Sequence, residues 1–154
     1  MTITFTTLKQ AIKRHLSVIG KRLYSKDGKN MFSDITVSTA EDPIFDQYIA
    51  AGAQNVESLL RQLVTRFALA ETQFTLELRN TRASNDFDSR CQELVKTYVV
   101  NYSACEYLAM VHPELAEKYR QSSVQAIQSL LAYAFYKNPP TTEGDPLSAS
   151  TTVS

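Results

Sequence analysis

Asp42-Pro43-Ile44-Phe45-Asp46-Gln47-Tyr48-Ile49-Ala50-Ala51-Gly52-Ala53 is the stretch on which the reading of the fold turns. A capping side chain followed by proline, whose fixed φ suits a first helical turn, marks a helix start. Beyond it Ile44, Phe45, Tyr48, Ile49, Val56, Leu59, Leu60, Leu63, Val64 and Phe67 recur at three-and-four spacing, which predicts one helix over 43–70. Gly52 inside that helix costs about 1 kcal/mol relative to alanine. Either a close helix crossing compensates or the helix simply tolerates it.

Upstream, Leu8, Ala11, Ile12, His15, Leu16, Ile19 and Leu23 form one apolar stripe, predicting a helix over 7–24 with Thr6-Thr7 as its cap. Ser25 to Asn30 reads as a turn, and a polar loop follows to Asp42, with Ile35–Val37 a short extended piece. Downstream, Asp86 caps a helix over 86–111 that carries Phe87, Cys91, Leu94, Val95, Tyr98, Val99, Tyr102, Cys105, Leu108 and Ala109. His112-Pro113-Glu114 breaks it and opens a helix over 113–137, on which Leu115, Tyr119, Val124, Ile127, Leu130, Leu131, Ala134 and Phe135 are in register. Asn138-Pro139-Pro140 stops that helix, and residues 138–154 have the composition of an extended tail.

Between the helices, Phe74, Leu76 and Leu78 alternate with Thr75 and Glu77, the period of a strand. A lone strand is unstable, so it must pair with another part of this chain or with a neighbouring subunit. With only four glycines in 154 residues a turn-rich β fold is disfavoured. The expected fold is all-α: about four long helices packed as a bundle in one domain over 1–137, with one strand-like segment and a tail.

Apolar residues at 44% and charged residues at 21% describe a globular chain rather than a disordered one. No apolar run approaches the 18 or so residues of a membrane span. The start, Met1 to Thr7, lacks the basic and apolar regions of a secretory signal, which points to synthesis in the cytoplasm. The net charge is zero, yet Lys9, Lys13, Arg14, Lys21, Arg22, Lys26 and Lys29 face only Asp27 in the first 30 residues. A basic beginning and an acidic remainder suit a partner with a negative surface or a neighbouring copy. The basic helix face is otherwise a solvated surface, or a contact for nucleic-acid phosphates. It has no interleaved aromatics for base stacking.

Neither histidine has a glutamate three positions earlier, since Ile12 precedes His15 and Ala109 precedes His112, so an inward-facing di-iron pattern is absent. Phosphate-binding glycine loops, nucleophile elbows and His-Glu-x-x-His are absent too. Asp86 and Asp88 read as first-turn acids that complement the helix dipole. His15 reads as a partly buried, satisfied histidine. Cys91 and Cys105 lie 14 positions apart on one helix, about 21 Å along it, too far for a disulfide. No catalytic residue, metal ligand or cofactor is expected. Tyr98, Tyr102, Tyr107, Tyr119, Tyr133 and Tyr136 crowd the last two helices, and core packing and an interface explain them about equally well.

The Asp42–Ala53 opening of a long helix, the Tyr98–Ala109 helix, the His112-Pro113-Glu114-Leu115-Ala116 break and the Tyr119–Phe135 helix resemble, in order and length, the head-tail connector proteins of tailed phages. The likeness spans about 42–137, is one of pattern rather than of a diagnostic motif, and fits the basic first helix and the loop before Asp42 less well. It implies a structural virion subunit that forms a ring around the DNA channel and joins the portal to the tail. Its partners would be copies of itself, the portal, and tail or neck proteins, with non-specific contact to DNA in the channel. Its last 14 residues, 141–154, reaching up to roughly 45 Å when extended, would grasp the portal or an adjacent subunit. The candidate interface residues are Lys9, Lys13, Arg14, Lys21, Arg22, Phe74, Leu76, Leu78, Tyr133, Tyr136, Pro139, Pro140 and Leu147. The rival reading is a cytoplasmic helical bundle that binds a small ligand or a regulatory protein in its tyrosine-lined region.

Overall fold

A computed structural model describes residues 1–22 and 41–135. The elements in order are β1 (Thr2–Thr4), α1 (Phe5–Arg22), α2 (Asp42–Leu59), β2 (Val64–Leu69), β3 (Gln73–Leu78), α3 (Phe87–Val111) and α4 (Pro113–Ala134). The expected all-α bundle is therefore corrected: a three-stranded antiparallel sheet, ordered β1-β3-β2, is built into a helix-dominated fold. The Ile35–Val37 piece and the tail lie outside the described residues.

The helix expected to run to residue 70 ends at Leu59, with Leu60 as its C-cap. Val64 and Phe67 satisfy the helical period by coincidence. Val64-Thr65-Arg66-Phe67 is rich in β-branched and aromatic residues, whose stiff side chains fit a pleated surface better than a helix. Once β3 exists it needs neighbours. β2 supplies one through a tight connection, and Thr2-Ile3-Thr4 supplies the other.

β3 is the central strand. Phe74 and Leu76 are 1% exposed and Leu78 is 9% exposed, all facing the helices, while Gln73 and Glu77 face water. Pairing with a neighbouring subunit is thus ruled out for this strand, because both of its edges are already used within the chain. On the solvent face Thr2 and Thr75 share a hydrogen bond of 3.1 Å.

α3 is the spine, touching α1, α2 and α4. Leu8, Ile12 and Leu16 from α1, Phe45, Ile49, Ala53 and Val56 from α2, and Val95, Val99, Ala104 and Leu108 from α3 join Ile3, Phe74 and Leu76 in one core. Each large side chain so buried contributes about 1.5–3 kcal/mol of hydrophobic stabilisation. α4 packs chiefly through small residues, Ala116, Ser123, Ala126 and Ala134, around Leu130. Val124, expected on that apolar face, is instead 45% exposed. Gly52 sits at a close crossing: a Cβ there would lie 3.2 Å from Cδ1 of Tyr102 and 3.4 Å from Cγ1 of Val99, both on α3.

Candidate functional site

The basic face of α1 lies against the opening of α2. Lys9 Nζ stands 2.9 Å from Asp46 Oδ1, and Lys13 Nζ donates to Asp42 Oδ1 at 2.6 Å. Asp42 lies in the first turn of α2 with Glu41 at the N-cap, whose side chain makes no capping hydrogen bond. The carboxylate expected as a cap is committed to a lysine. That hydrogen bond, reinforced by the charges of Lys13 and Lys9, holds the Asp42 carboxyl below its ordinary range. A folded pKa below the unfolded one stabilises the fold above the usual carboxylate range, and the benefit is lost as pH falls through the folded value. Lys13→Met should lower stability at pH 7 by less than about 1 kcal/mol, as partly exposed pairs do. In thermal denaturation the difference from wild type should shrink as pH falls through the lowered Asp42 value, below the ordinary carboxylate range.

Arg14 and His15 are exposed. His15 was expected to be partly buried, but the buried stripe of α1 is the narrow row Leu8-Ile12-Leu16, and His15 falls beside it. It borders a shallow hollow with Ala11, Lys96, Thr97, Val100 and Asn101. The side chains of Lys21 and Arg22 lie outside what the structure describes, as do Tyr136, Pro139, Pro140 and Leu147.

At the end of α3 an apolar group faces outward. Met110 is 65% exposed, Val111 46% and Ile44 37%. Tyr48, one turn after Ile44, places its hydroxyl 3.9 Å from Met110 Sδ, so this end of α3 meets the opening of α2. Just beneath, the rings of Phe45 and Tyr107 lie 5.1 Å apart, and Tyr107 donates to Glu41 Oε1 at 3.0 Å. Burial and that carboxylate push the Tyr107 hydroxyl up to about 12. The apolar group therefore rests on a fixed base.

No family model matches this chain, and neither does any curated protein or solved structure.

The remaining candidate residues divide by burial. Phe74, Leu76 and Leu78 were expected at an interface, but they are core residues. Tyr133 is used internally: its ring stacks on Phe87 at 5.8 Å, and the Arg82 guanidinium lies 4.0 Å above it. Arg82 and Thr81 also donate to the carbonyls of Tyr133 and Ala134, satisfying two orphan acceptors at the end of α4. Tyr98 is buried and stacks on the half-buried Tyr102 at 5.9 Å. Asp86 stands at the N-cap of α3 without capping it, and accepts instead from the Ser84 hydroxyl.

Both cysteines are free. Burial raises Cys91 to about 11 and also raises Cys105. Among the described residues no group of three His, Cys, Asp or Glu side chains could hold a metal ion. No described helix is long and apolar enough to cross a membrane.

Met110 and Val111 were missed by the sequence reading because they fall off the apolar stripe of α3, and that was itself the signal. Two large apolar residues off the stripe, just before a helix break, mark an uncovered helix end. Leu59 and Phe135, 47% and 36% exposed, border a second hollow with Ser58, Arg61 and Gln62.

Proposed function

We propose that this protein is a structural virion subunit, a ring-forming head-tail connector that joins the portal to the tail around the DNA channel. Three things support the reading. The helix opening at Asp42–Ala53, the Tyr98–Ala109 helix, the His112-Pro113 break and the Tyr119–Phe135 helix resemble, in their order along the sequence, the connector pattern. Charge is split unevenly along the chain. The observation that carries most weight is the exposed apolar end formed by Met110, Val111 and Ile44, held on the Phe45–Tyr107–Glu41 base. Apolar groups presented on a rigid support are what a protein partner can bury.

The test is to mix the purified chain with portal rings and examine the product by sedimentation and electron microscopy. The expected product is a ring of copies on the portal. Met110→Lys, a substitution at a 65% exposed site, should keep the fold and lose the docking. A chain that never joins the portal, and instead saturates with a small ligand as a free particle, overturns the proposal.

A further inference from the structure

The sheet has two outer edges, and they differ. β1 offers only three residues. β2 offers six, and Ala70 N–H donating to Gln73 O at 2.9 Å fixes the phase of its ladder with β3. In an antiparallel ladder the backbone groups of alternate residues point to opposite sides. Ala68 and Arg66 therefore turn theirs to β3, and Phe67 and Leu69 turn theirs outward. Among the described residues no backbone hydrogen bond reaches that outward side. Protective devices are few: a bulge between Val64 and Arg66, one charge at Arg66, and neither proline nor lysine.

Side chains at the same margin are also incompletely covered. Phe67 and Leu69 sit opposite Leu76 and Phe74, on the inner, apolar face of the sheet. Phe67 is half-buried, and Leu69 is 37% exposed where the sheet stops. Unused backbone donors and acceptors beside uncovered apolar side chains call for another strand.

We infer that the outer edge of β2 is a self-association surface, on which a second copy of this chain lays its own β2 antiparallel, joining two three-stranded sheets into one of six. Identity of the two strands is favoured by how they fit. With Phe67 opposite Phe67 across a two-fold axis, the outward backbone groups meet in register. Arg66 then faces Ala68 of the partner subunit rather than a second arginine. The two Phe67 rings meet on the apolar face, where aromatic cross-strand pairs are favourable. This pair is a form of the free chain, distinct from the ring contacts proposed above and independent of them.

Sedimentation of the full chain across a dilution series, with hydrogen exchange at the Phe67 and Leu69 amides, tests it. The expected result is a dimer that dissociates on dilution, with both amides protected at high concentration and exposed at low. Leu69→Pro removes an N–H that the chain's own sheet does not use, so it should retain the native circular dichroism and lose the dimer. Should proline disturb the sheet, the exposed site at Ala68 gives a second readout. Ala68→Glu sets a carboxylate opposite Arg66 of the partner subunit and should tighten the dimer. Ala68→Arg sets like charges there and should weaken it. A monomer at every concentration overturns the inference. So do dimer strengths equal in all variants, and amides equally protected in the monomer. A chain that docks on portal rings but never pairs when free leaves the connector reading intact and removes this one.

Discussion

Phe74→Ala lowers the free energy of unfolding by about 3–5 kcal/mol, the range for removing a large aromatic from a packed interior. Phe74 is 1% exposed and lies at the middle of the sheet, opposite Ile3 of β1 on one side and Leu69 of β2 on the other. Truncation removes apolar burial and leaves a cavity that three strands and the helices above them would have to close. Denaturant unfolding of the variant checks it. A residue serving only an interface would show the opposite pattern, with the free chain as stable as wild type and only assembly impaired. The measurement thus decides whether β3 belongs to the core.

Gly52→Leu is the second large effect, a loss of about 2–3 kcal/mol from overpacking. The Cβ alone would stand 3.2 Å from the Tyr102 ring, so the larger side chain has to push α2 away from α3 or displace Tyr102 from Tyr98. Gly52→Ala is the informative control. Its helix-propensity gain of about 1 kcal/mol opposes a contact that a half-exposed ring can relieve by shifting a few tenths of an ångström, so the net change should stay within about 1 kcal/mol. Thermal melts of the two variants separate the readings of this glycine. If leucine is tolerated as well as alanine, the close crossing has no structural role.

Much of the helical frame was legible in the residues. The Asp42-Pro43 start, the His112-Pro113 break and the extent of α3 follow from local chemistry, since proline and helix periodicity act within a few residues. The β content was legible only in part. Phe74, Leu76 and Leu78 announced a strand, but its partners did not announce themselves. Thr2-Ile3-Thr4 is too short to show a period, and Val64-Thr65-Arg66-Phe67 continues the helical spacing of the residues before it. What decides both segments is the need of β3 for hydrogen-bonding neighbours, one of them about 70 positions away in sequence. No local pattern records that. The same limit applies to the surface. Burial of β3 withdrew three interface candidates, and α3 packing exposed Met110 and Val111, which the stripe had left unassigned.

The two lysine–aspartate contacts between α1 and α2 alter what the charge count along the chain means. Counted by position, the beginning of this polypeptide is strongly cationic. Beyond the screening distance of about 8–10 Å at physiological ionic strength, a lysine held within 3 Å of a carboxylate presents a small, short-range dipole and almost no monopole. Salt dependence in this protein's associations would therefore report on charges other than Lys9 and Lys13, whose main effect is to hold one helix against the next.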